Sequence, residues 1–276
     1  MSHLTVSAKD MSDAGAKPAQ EALRPMSFKM SLLLWSIPTI IFVISFYGVI
    51  PWLESLGIPP MASFLTASII PMAWMLTAAL VGYHKVEGRP STRSAFSRRM
   101  RFPKPRLKDV LLGIGVYLVG LVGLVLLTRV VHLLINGGLL PIPQNLPLFL
   151  DPRATISGAS LDAAAGGTMR GQWELVILYL VYLFFNIAGE ELWWRGYILP
   201  RQELRHGQWT WVMHGTLWAF FHLFKWWDIL AILPLTLAMS FSAQRLRNNW
   251  PAAIAHLLGN LSFFLLILAG VLGLMS

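Results

Sequence analysis

The sequence predicts an all-α fold: a polytopic transmembrane helical bundle with about seven spans, each near the ~20 apolar residues that cross a bilayer. Three observations carry that prediction. The 276 residues are 55% hydrophobic and only 13% charged, about half the charged share of a typical soluble domain. The mean hydropathy is +0.59. The apolar runs are long and continuous, which favours helices over the short alternating strands of a barrel.

Taken in order, residues 1–29 read as a polar cytoplasmic tail, Ala- and Ser-rich, expected to be disordered and without the apolar core of a secretory signal. Residues 30–172 form a first membrane unit with spans at 30–52, 60–83 and 110–134. Between the second and third lies a basic loop, 84–109, with nine Lys and Arg against Glu87 and Asp109. The positive-inside rule makes that loop cytoplasmic. Counting spans from it puts the N-terminus inside and the C-terminus outside, with Arg201, Arg205, Arg245 and Arg247 all on the inner side. The connection 135–172 is then external. Its stretch PIPQNLPLFL is apolar enough to lie on the membrane surface or re-enter it. The run GIGVYLVGLVG (113–123) offers small residues for close helix packing. Residues 173–276 form a second unit with spans at 173–199, 209–225, 229–246 and 252–274. Trp193, Trp194, Trp226 and Trp227 are expected at the interfaces, where indoles anchor membrane helices.

Composition also excludes. There is no cysteine, so there is neither a disulfide framework nor thiol catalysis. The formal charge of +9 is concentrated beside apolar spans, where it sets topology, and no nucleic-acid partner is expected. The bilayer is the expected surroundings, and no oligomeric state is assigned.

Against this background a few polar residues stand out, because an unpaired charge in hydrocarbon costs several kcal/mol or more. In FFNIAGEELWWRGYILPRQE (184–203), Glu191 and Arg195 are four apart and can pair on a helix. Glu190 points about 100° away and lacks that partner. Gly189 and Gly196 leave room beside the pair. WAFFHLF carries His222, and AHLLGNL carries His256 and Asn260 on one helical face, with Gly259 beside them. Singly, each has a structural reading: an ion pair, or an interhelical hydrogen bond. Jointly, they can satisfy one another around a small wet cavity, where a partly desolvated carboxylate suits a general base.

Three motifs in this order, EELWWR (190–195), WAFFH (218–222) and HLLGN (256–260), resemble the EExxxR, FxxxH and HxxxN pattern of the CPBP family. That family comprises the type II CAAX prenyl proteases and bacteriocin-processing membrane proteases, also called Abi proteins. One departure is visible: Trp218 stands where the second motif usually has Phe.

The resemblance implies an intramembrane endopeptidase that hydrolyses a peptide bond of a membrane-associated protein or peptide in the cell membrane, of bacterial type. Glu190 would activate water. Glu191 and Arg195 would hold the first motif, and His222, His256 and Asn260 would position water or the oxyanion. The cofactor question stays open. Glu190, His222 and His256 would serve as zinc ligands if a metal is used, and no cofactor is needed in the glutamate mechanism, which is slightly favoured. Two other classes of function compete: a non-catalytic scaffold or immunity protein of the same fold, and a proton-coupled transporter using Glu190.

Overall fold

The computed structural model describes residues 23–144 and 146–275. Helix α1 (Phe28–Ser55) starts where Ser27 accepts a hydrogen bond from the Met30 amide at 3.2 Å, an ordinary N-cap. Just before it, Met26 is buried and its amide donates to the Arg201 carbonyl at 3.0 Å. The tail expected over 1–29 is therefore already docked at Met26, and its residues 1–22 lie outside the described residues. Helix α2 (Pro60–Val86) returns, opened by Pro60 at its first turn, where the missing N–H costs nothing.

The basic loop is folded. Thr92 caps a short helix, α3 (Arg93–Arg99), and α4 (Leu107–Asn136) follows. Helix α5 (Gly158–Ala164) lies in the connection to α6 (Trp173–Glu190). From Glu191 to Ile198 the chain widens into a π-helical stretch and then continues as α7 (Leu199–His206). Helix α8 (Thr210–Phe221) runs on through a 3-10 segment, His222–Asp228, into α9 (Ile229–Leu246), and α10 (Trp250–Val271) closes the fold.

Among the described residues, five continuous helical stretches are long and apolar enough to cross a membrane, and one of them, Trp173–Leu246, contains α6 to α9. This reconciles five stretches with about seven spans. Alone, the twelve residues of α8 would reach only about 18 Å at 1.5 Å each, short of a ~30 Å hydrocarbon core.

Hydrocarbon gives helices no hydrophobic reason to associate, so small residues and close packing hold them. Helix α4 packs on α9 and α10. Its Gly113 and Gly120 face Ile254 and Leu235 at distances no side chain would permit. Leu118, Val119, Val122 and Leu126 point outward and are exposed, as a lipid-facing surface requires.

The tryptophans correct the interface expectation. Trp193, Trp194 and Trp227 are buried, and Trp194 stacks on Trp35 of α1 at 3.6 Å between ring centroids. The wider π turn carries Trp193 and Trp194 inward, where Trp194 joins α1 to the first motif and Trp193 stacks on Tyr197. Trp226 is partly exposed and donates to the Pro141 carbonyl at 3.0 Å.

Candidate active site

The first motif sits where α6 meets the backbone of α2. A Cβ on Gly189 would collide with the Met72 carbonyl, and one on Gly196 would lie 2.9 Å from the Met100 sulfur. Both glycines thus permit close approaches that larger residues would block. Gly259 does not: the space beside it is open. The change to π geometry falls immediately after Glu190, and such widened turns are frequent at functional sites.

Glu191 and Arg195 form the expected pair, and both side chains are almost wholly buried. The same Glu191 oxygen, Oε1, faces His256 Nδ1 at 2.9 Å. His256 therefore belongs to the ion pair as well as to the cavity. The Arg195 guanidinium also lies 3.9 Å from the centre of the Trp218 ring, a favourable cation–π arrangement.

Glu190 is 3% exposed and has different company. Asn186 Nδ2 donates to its Oε1 at 3.0 Å, and Trp218 Nε1 donates to its Oε2 at 2.8 Å. Both donors are neutral. The carboxylate is held in place from two directions, and neither donor is a cation.

His222 ends α8. Its Nδ1 lies 2.9 Å from the Trp218 carbonyl. A carbonyl only accepts, so Nδ1 carries the proton and Nε2 is left as an acceptor in the neutral ring. Asn260 Nδ2 donates to the His256 carbonyl at 3.1 Å, while the Asn260 carbonyl accepts from Tyr179 at 2.7 Å.

Glu190, His222, His256 and Asn260 all line one cavity of about 230 Å³, together with Asn186, Ser68 and Lys225. The four residues singled out in the sequence are thus brought to one place from α6, the end of α8 and α10. Beside it, a lipid-side groove of about 510 Å³ between α6 and α10 is lined almost entirely by apolar side chains. It reaches Glu191 but not Glu190.

The zinc set Glu190, His222 and His256 does not assemble. Among the described residues no three His, Asp or Glu side chains are gathered closely enough to hold a metal ion. Both Glu190 oxygens already accept hydrogen bonds.

Two residues at the site were missed in the sequence. Asn186 is four before Glu190 and so shares its helical face, a signal that was present. Trp218 was noted only as a departure from Phe. Its indole N–H is the feature Phe lacks, and that N–H is what reaches Glu190.

Residues 172–262, about a third of the chain, match the family described as type II CAAX prenyl endopeptidase Rce1-like. No match was found among curated proteins or among solved structures. The matched segment runs from the start of α6 to beyond Asn260 and includes all three motifs and every polar residue of the cavity wall except Ser68 of α2. This match to the type II CAAX prenyl endopeptidase Rce1-like family over 172–262 is consistent with the CPBP resemblance of the motifs.

Proposed function

We propose that the chain is an intramembrane endopeptidase of the cell membrane that hydrolyses a peptide bond of a membrane-associated protein or peptide, with Glu190 as the base. One observation carries the reading: Glu190, His222, His256 and Asn260 share one cavity wall, while the neighbouring Glu191 is engaged by Arg195 and His256. A structural carboxylate would be expected to take the cation. Glu190 instead has two neutral donors, which fix its position and leave it able to accept a proton.

In this mechanism a water between Glu190 and the histidines gives its proton to Glu190. The remaining hydroxide bonds to the carbonyl carbon, and the carbonyl electrons move onto oxygen. His222, with Nε2 as acceptor, orients the water. The second Asn260 N–H is the donor for the developing oxyanion, where an aimed donor contributes most, while His256, with Nδ1–H held by Glu191, offers Nε2 as a second acceptor for the water. Collapse breaks the C–N bond, and Glu190 returns its proton to the leaving amine. No step requires a metal.

The test is comparison of membrane-fraction proteomes between cells carrying wild type and Glu190→Gln. A precursor that accumulates uncleaved with the variant supports the reading. Identical proteomes, with both proteins folded and inserted, would favour the scaffold. Proton-coupled solute uptake that is lost in Glu190→Gln would favour the transporter.

A further inference from the structure

The two ends of the bundle differ in charge, and the cavity leans toward one of them. At the end formed by 84–109, 199–207 and 244–249, basic residues far outnumber Glu87, Asp109 and Glu203. At the other end, the connections 54–60, 137–174 and 222–228 hold Arg153, Arg170 and Lys225 against Glu54, Asp151, Asp162, Glu174 and Asp228. By the positive-inside rule the first end is cytoplasmic and the second is not.

The cavity that holds Glu190 continues to the second end. Its wall includes Lys225 of the α8–α9 connection, Phe64 of the first turns of α2, and Phe149 and Leu150 of the long connection. Those last two come from the apolar stretch whose sequence suggested a surface or re-entrant segment. They fold in over the cavity, with Phe149 against Phe64 and Phe263 at 5.7 and 4.8 Å between centroids. Arg153 secures the segment by donating to the Pro143 and Gln144 carbonyls at 3.0 and 3.1 Å.

A vestibule of about 740 Å³ lies under this roof, between 146–150 and the end of α1. Phe46 and Leu150 line both the vestibule and the cavity, so the two spaces are adjacent across these two side chains. Apart from Glu54, the vestibule's lining side chains are uncharged. Toward the basic end, the way to Glu190 is blocked by packed side chains, with Trp194, Arg195 and Met100 fully buried.

We infer that the site is entered from the extracytoplasmic face, through the vestibule under residues 146–150, and that its substrate is an extended, largely apolar polypeptide segment presented on that face. What enters rests on the protease reading; where it enters does not.

The chain contains no cysteine, so single cysteines report position without background. Lys225→Cys marks the mouth, Asn260→Cys the wall, and Arg93→Cys the basic segment. Intact cells expressing each variant are treated with a small membrane-impermeant thiol reagent, and inside-out vesicles are treated in parallel. Folded yield of each variant is checked by size-exclusion chromatography, with Phe149→Cys as a second mouth position should Lys225→Cys fold poorly.

Lys225→Cys and Asn260→Cys are expected to react at least tenfold faster from outside, and Arg93→Cys only in the vesicles. Asn260→Cys reacting no faster from outside than from inside overturns the entrance. Lys225→Cys reacting only in vesicles overturns the orientation. Labelling reads position and not turnover, so either failure leaves the endopeptidase reading to its own test.

Discussion

Glu190 and Glu191 are neighbours in sequence and belong to two different regions of the molecule. Glu191 faces the packed interior, where Arg195 and His256 share one of its oxygens. Glu190 faces the cavity, where an amide and an indole hold it. Burial is nearly the same for both, at 1% and 3% exposure. The difference is therefore in partners and not in depth. A carboxylate whose charge is cancelled by an arginine is part of the frame. A carboxylate held by neutral donors beside open space is free to exchange a proton.

The largest expected effect falls on activity alone. Glu190→Gln preserves shape, and with the Asn186 amide flipped it keeps both hydrogen bonds by accepting from Trp218 and donating to Asn186 Oδ1, but it removes the proposed base. Cleavage of the accumulated precursor should fall by about 10²–10⁴, the usual contribution of a general base. Folded yield in detergent should equal that of wild type. Normal cleavage would erase the distinction between the two carboxylates.

Arg195→Ala tests the other region. Breaking a buried ion pair by removing one partner typically costs about 3–5 kcal/mol, because the remaining charge is left uncompensated. Folded yield and activity should fall together. Glu191→Gln combined with Arg195→Ala removes both charges and should recover part of the yield. An Arg195→Ala protein as abundant and monodisperse as wild type would show that the pair is not structural.

Trp218 touches both regions, with its indole N–H on Glu190 and its ring over Arg195. Trp218→Phe separates them: it restores the residue usual in the second motif, deletes the donor and keeps a ring. A hydrogen bond to a charged group is worth about 1.5–3 kcal/mol, so kcat/KM should drop roughly tenfold or more with little change in yield. Trp218→Ala should lower both. Equal activity of Trp218→Phe and wild type would assign the indole N–H a packing role only.

These contrasts show how far the sequence could be read. Seven apolar stretches were legible because a bilayer demands length and composition that few other contexts do. The Glu191–Arg195 pair was legible because four residues is a helical repeat. Asn186 followed the same rule and could have been found. The contact of His256 with Glu191 was not legible, since 65 residues separate them and only packing of α10 against α6 joins them. The burial of Trp193 and Trp194 follows from the π stretch, which no periodicity announced. The roof at 146–150 has no repeating pattern at all. Its placement depends on side-chain fit against α2 and α10.

The basic loop provides the mildest test of the same principle, outside the membrane. In the sequence, Glu87 was counted only as one of two acids in the basic loop 84–109. Its side chain is 5% exposed and meets Arg99 at 2.6 Å, Arg201 at 2.6 Å and Arg89 at 3.4 Å. Burial alone would raise its pKa, but the hydrogen bonds and charges of Arg99 and Arg201 outweigh burial and hold the carboxyl below the usual range. A carboxyl with a lowered folded pKa contributes stability that is present above its unfolded value, about 4.3 for Glu, and that is lost as pH falls through the folded value. Removing it should cost less than removing Arg195. Arg99 keeps the Gly196 carbonyl at 2.7 Å, and Arg201 keeps the Tyr197 carbonyl at 2.9 Å and that residue's ring. Glu87→Gln should therefore be less stable than wild type at pH 7 by about 1 kcal/mol, the net worth of a typical hydrogen bond. Thermal unfolding in detergent from pH 7 to pH 3 should bring the two proteins together below about pH 4, because wild type loses there what the variant never had. Curves that stay parallel across the range would mean that Glu87 does not titrate with folding and that the arginines are held by the backbone alone.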